Sequence, residues 1–151
     1  MSLAWPNQNW NFVPAYEISG VPWVKSYTDV PAAAAGTATE IVFSAVTRWV
    51  TVSIQDAVAD SALRIGFTAL GVESQGVFPA PQANYFLLWS DASSGTGQSA
   101  QTVRFEVRCQ KLFIAGHEGV IDNVSVMAGL TTVNTSNSLM VTGSNSFEGV
   151  G

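Results

Sequence analysis

Three kinds of residue are scarce in this chain: it has a single cysteine and a single histidine, and only 11% of its 151 residues are charged. One cysteine excludes an internal disulfide. One histidine leaves a single side chain that titrates near neutrality without a perturbing environment, so acid–base and nucleophilic pairs have little to be built from. Six basic residues stand against eleven acidic ones, for a net charge of −5, and no Lys/Arg run exists. Nothing here would neutralise a phosphate backbone, which argues against nucleic acid as a partner. No apolar run approaches the roughly 18 residues that a membrane-spanning helix needs. No basic segment followed by an apolar one opens the chain, so synthesis in the cytoplasm is the expectation.

What is abundant is alternation. From Thr102 to Cys109 the chain reads TVRFEVRC, with Val103, Phe105, Val107 and Cys109 on one parity and Thr102, Arg104, Glu106 and Arg108 on the other, the pattern of a half-buried strand. Leu63, Ile65, Phe67 and Ala69 alternate in the same way, as do Val124, Val126 and Ala128. Ile41, Phe43 and Ala45 share one parity while Val50, Val52 and Ile54 share the other, so a turn or bulge belongs near Val46 and Thr47. The segment Asn84 to Trp89 is apolar on both faces and reads as a central or interface strand. These signals predict about eight strands and no convincing helix. The fold class is therefore all-β, a jelly-roll-like β-sandwich with extended N- and C-terminal arms.

The ends differ from this middle. Residues 1–36 interleave Trp5, Trp10, Trp23 and Tyr27 with Pro6, Pro14, Pro22 and Pro31 and show no clean period, which predicts an extended aromatic arm. Prolines would confine a short strand at Pro22 to Ser26 to a sheet edge. Residues 37–130 form the sandwich domain, with its core on Val50, Val52, Ile54, Leu63, Ile65, Phe67, Val103, Phe105, Val107, Val124 and Val126. Residues 131–151 form a polar Ser/Thr/Asn/Gly-rich tail.

Candidate chemistry is thin. Cys109 falls on the apolar parity and His117 in the glycine-flanked turn Gly116-His117-Glu118-Gly119, so a thiol–imidazole pair is not expected. Asp56 and Asp60 in one loop, and His117, Glu118 and Asp122 around another, lack a recognised ligand spacing and read as turn formers. No catalytic, cofactor-binding or metal-ligating residue is assigned. The aromatic residues are the remaining signal: Trp49 shares its parity with Thr47, Thr51 and Ser53, so its ring points away from the core, and Trp89 resembles it. Exposed tryptophans either fill a pocket on a neighbouring subunit or stack on a sugar ring. The interface candidates are Trp5, Trp10, Trp23, Tyr27, Trp49 and Trp89.

The runs TRWVTVSI, LRIGFTALGV, NYFLLWS, VRFEVRCQKLFIAG and SVMAGL, spanning residues 40–130, resemble small structural proteins of tailed bacteriophage virions, in particular capsid decoration or vertex proteins. The likeness is one of strand pattern and texture, and no residue role is carried over by it. It implies a non-enzymatic virion component, made in the host cytoplasm, that forms a homo-oligomer and docks on a major capsid or tail protein. The alternative is a carbohydrate-binding sandwich that uses its exposed tryptophans.

Overall fold

The computed structural model describes residues 20–56, 61–73, 83–90 and 100–134. They form β1 (Val21–Tyr27), β2 (Thr39–Val42), β3 (Ala45–Ile54), β4 (Ala62–Gly66), a one-turn helix α1 (Ala69–Glu73), β5 (Phe86–Trp89), β6 (Gln101–Phe105), β7 (Lys111–Gly116) and β8 (Val124–Asn134). The strands make two four-stranded sheets, ordered β1-β8-β3-β6 and β2-β7-β4-β5, and every ladder between named strands is antiparallel. β1 lies beside β8, β2 beside β7, β3 beside β6 and β4 beside β5. The chain is thus doubled back between β4 and β5, and the doubled ribbon is laid out as two layers. The protein is an all-β sandwich.

Alternation decides which face of each sheet is buried. Val50, Val52 and Ile54 of β3 and Val124, Val126, Ala128 and Leu130 of β8 turn inward from the first sheet. They meet Ile41, Leu63, Ile65, Leu88, Leu112 and Ile114 from the second in one continuous core. The expected parity switch in β3 is a bulge: its pairing with β8 shifts register on either side of Thr47. An extra residue leaves ladder groups unpaired, and threonine hydroxyls take them up. Thr47 Oγ1 donates to Val107 O (2.8 Å) and accepts from Cys109 N–H (2.9 Å), while Thr131 Oγ1 donates to Val46 O (2.8 Å).

Several expectations need correction. Residues 21–27 belong to the sandwich, because β1 pairs along β8 from Val21↔Leu130 to Tyr27↔Val124. Its proline is tolerated because β1 is an edge strand. The linker 31–36 is tied down as well: Ala33 N–H donates to Gly116 O (2.7 Å), and Gly116 N–H donates to Pro31 O (2.8 Å). Second, Phe67 is not core. β4 ends at Gly66, the chain turns into α1, and the ring stands 36% exposed. Third, a single helical turn, α1, follows β4; a Cβ on Gly66 would lie 2.7 Å from Val72 Cγ1, so glycine at this position lets the turn rest on β4. Fourth, β5 is an edge strand and not a central one, and β8 runs to Asn134, three residues beyond the tail boundary at 131. Val103, Phe105 and Val107 pack on the core from the edge strand and its continuation and are only partly buried. The remaining parts of both arms lie outside the described residues.

No helix among the described residues is long and apolar enough to cross a membrane.

Candidate functional site

β4 is buried along its whole length, Ala62 to Gly66. Its inward residues Leu63 and Ile65 face the core. Its outward residues Ala62, Arg64 and Gly66 lie under a second layer, in which Ala33, Val72 and Ala115 form a small cluster flanked by Ala38, Tyr85 and Phe113. Burying an arginine there is costly unless its donors are used. Arg64 Nη1 donates to Val72 O (3.0 Å), tying the end of α1 to the sheet, and Nε donates to His117 Nδ1 (2.9 Å). The guanidinium carbon sits 4.5 Å from the centre of the Tyr85 ring, a cation–π stack.

These bonds also orient the histidine. A guanidinium can only donate, so Nδ1 of His117 is the acceptor and a neutral ring carries its hydrogen on Nε2, which lies 3.8 Å from Glu118 Oε1. His117 N–H donates to Ala62 O (2.8 Å), placing the ring one row above Arg64. Trp89, paired with Ala62 on the outer edge of the sheet, meets that ring edge-to-face at 6.1 Å, and Tyr85 tilts against it at 6.2 Å. The result is a cluster of Trp89, His117 and Tyr85 around a buried cation, with Trp89 51% exposed. It offers an aromatic face, an imidazole donor and the exposed Glu118 carboxylate.

Trp49 takes the outward side of the first sheet, as its parity predicts. Its indole rests on Gly129, where a Cβ would come 2.4 Å from Nε1. The Arg104 guanidinium lies 4.6 Å over the ring and is paired with Glu106 at 2.7 Å. The Trp49 ring is therefore capped, and only Trp89 of the two offers a bare face. Trp23 and Tyr27 turn inward on β1: Trp23 packs edge-to-face on Phe43 at 4.9 Å, and Tyr27 packs on the core under Lys25 Nζ (4.9 Å). Both are spent on the chain's own sandwich. Trp5 and Trp10 lie outside the described residues.

Cys109 and His117 are on different layers. The thiol lies inside, 3.3 Å from Thr47 Oγ1, and burial pushes it up to about 11, with the Thr47 hydrogen bond pulling the other way. Among the described residues no group of three or more His, Cys, Asp and Glu gathers as metal ligands; Asp60 lies outside them. Arg64 carries the cluster yet has no role in the sequence reading, where it is only the polar member of an alternating strand. The signal was its setting: ALRIG flanks it with the small residues Ala62 and Gly66, which leave room for a covering layer.

No protein-family model, curated protein or solved structure matches this chain.

Proposed function

We propose that the protein is a structural component of a virion, a decoration, cement or vertex protein that self-associates and docks on a capsid or tail lattice. The pairing of β1 with β8, β2 with β7, β3 with β6 and β4 with β5 supports reading the sandwich as jelly-roll-like. The observation that carries the reading is the outer side of the first sheet. Val24 and Met127 stand side by side in register there, 71% and 46% exposed, next to the Trp49–Arg104 stack. Large apolar side chains aligned on one flat face are the raw material of a protein interface, and tryptophan and arginine are the residues that most often anchor one. Function on this reading is contact area, on the order of 800 Å² per partner. No group needs to react. Immunogold electron microscopy of particles sedimented from the source, with antibody raised against the purified chain, tests it. Regular labelling of a lattice supports the proposal, and label confined to soluble protein removes it.

A second reading is favoured by Trp89: a sugar could stack on its exposed face while His117 Nε2 and Glu118 meet hydroxyls. A glycan array decides it, with Trp89→Ala as the control that must abolish any signal.

A further inference from the structure

β6 is the last strand of the first sheet, and among the described residues nothing pairs with its outer edge. Which backbone groups face that edge follows from two observations. Gln55 N–H donates to Asn123 O on the β8 side (2.9 Å), so by alternation Thr51 and Ser53 turn their backbone toward β8 and Val50, Val52 and Ile54 turn theirs toward β6. Those three face Phe105, Val103 and Gln101. Further along, the carbonyls of Val107 and Cys109 turn to Thr47 on the same side. Thr102, Arg104 and Glu106 therefore present N–H and C=O groups to the open edge, a ready template for another strand.

The side chains on that edge are self-complementary. Burial alternates from Gln101 to Arg108, beyond the end of the β3 ladder, so the chain stays extended through Val103-Arg-Phe-Glu-Val107. Laid antiparallel on a second copy about a two-fold at Phe105, Arg104 opposes Glu106 of the second copy and Glu106 opposes its Arg104. The two valines, both packed on the core side, oppose each other. A two-fold at Arg104 or at Glu106 would oppose like charges instead. Apolar surface flanks the same edge: Phe86 of β5 is 47% exposed and meets Phe105 edge-to-face at 5.4 Å.

We infer that two copies of this chain join edge to edge through β6, in the register that opposes Arg104 and Glu106, making one continuous eight-stranded sheet. The inference rests on the self-association in the reading above and names its geometry. In the free chain Arg104 and Glu106 pair with each other, and on dimerisation each exchanges that partner for its counterpart.

Full-length Arg104→Glu and Glu106→Arg test it by sedimentation velocity, with circular dichroism checking the fold. Each variant opposes like charges at both contacts, and its dimer should weaken roughly tenfold to a hundredfold. Mixing the two restores opposite charges at both contacts, so a one-to-one heterodimer should form at wild-type affinity, although neither variant keeps its internal pair. Either variant dimerising like the wild type, or a mixture that stays monomeric, overturns the inference. Arg104→Glu alone remaining dimeric would shift the axis toward a Glu106–Arg108 pairing and overturn this register. Oligomers untouched by either variant would leave the virion reading standing with another interface, whereas a wild-type chain that is monomeric throughout removes the self-association common to both.

Discussion

On the outer side of the second sheet a charged residue, Arg64, is buried, while on the outer side of the first sheet apolar residues, Val24 and Met127, are exposed. Composition does not explain the inversion, because the strands on both sides alternate alike. The difference is a covering layer. α1 and the linker after β1 lie over Arg64, and its donors are engaged by Val72 O and His117 Nδ1. Over the first sheet the described residues supply no layer at all, only rows of short polar side chains and the Trp49–Arg104 stack. Among the described residues one face is covered and the other is not.

Removing the buried cation breaks the covered face hardest. In Arg64→Ala the Val72 carbonyl and the His117 Nδ1 atom each lose a buried donor, and the Tyr85 ring loses its stack. At about 1 to 3 kcal/mol for each stranded group, the total should be about 4 kcal/mol. Arg104→Ala on the open face, where the ion pair is more than half exposed, should change stability by about 0.5 kcal/mol or less. Urea denaturation of both variants measures the contrast, and equal midpoints would mean that the cover is not held by Arg64.

Two glycines sharpen the same point. A Cβ on Gly66 meets Val72 Cγ1 at 2.7 Å and Asn84 O at 2.9 Å, with the helix above it unable to retreat without losing its seat. A Cβ on Gly129 meets the Trp49 indole at 2.4 Å, but that ring can swing outward. Overpacking of the first kind should cost about 3 kcal/mol and of the second about 1. Gly129→Ala should also change the near-ultraviolet dichroism of the tryptophans while leaving the far-ultraviolet signal intact.

Much of this was legible in the sequence because period-2 alternation is a local property. The inward sets of β3, β4 and β8, the bulge at Thr47 and the outward Trp49 all follow from parity alone. Parity cannot report what lies over an outward face, and so Arg64 and the seating of His117 went unread. Nor can it separate an arm from an edge strand. In β1 the inward residues are Trp23 and Tyr27, with Lys25 between them at the same parity; a lysine there is tolerated because the edge lets its ammonium reach solvent over Tyr27. Phe67 misled for the opposite reason, as the alternation runs on through Ala69 while β4 ends at Gly66.

Burial by itself, apart from either outer face, can be tested at Cys109. Its thiol ionises near 9 when unfolded and at about 11 when folded. The raised value favours the folded state in full below pH 9, and that contribution fades as pH climbs toward 11. The loss is on the order of 2 kcal/mol, and the Tyr27 phenol, also raised by burial, acts in the same direction. Unfolding free energy measured from pH 8 to 11 should fall in the wild type and fall less steeply in Cys109→Ala, even though that variant starts lower. Parallel curves would mean that the thiol is reached by water in the folded chain.

The smallest effect is the most direct test of the open face. Ser26, Ser125, Ser53 and Thr102 form one row across all four strands of the first sheet, with Ser26 and Ser125 3.3 Å apart and Thr102 Oγ1 donating to Ser53 Oγ at 3.0 Å. If this row faces water, deleting one hydroxyl strands nothing, since water replaces it, and Ser53→Ala should cost about 0.5 kcal/mol or less. If the row is covered, whether by another part of the chain or by a second copy, the Thr102 hydroxyl is left without a partner away from water, and the cost rises to about 1 to 3 kcal/mol. Denaturation of Ser53→Ala at two protein concentrations separates these cases. A small cost at both keeps the face open. A large cost that grows with concentration identifies a second copy as the cover, and a large cost independent of concentration places the cover within the chain, which would erase the difference between the two faces.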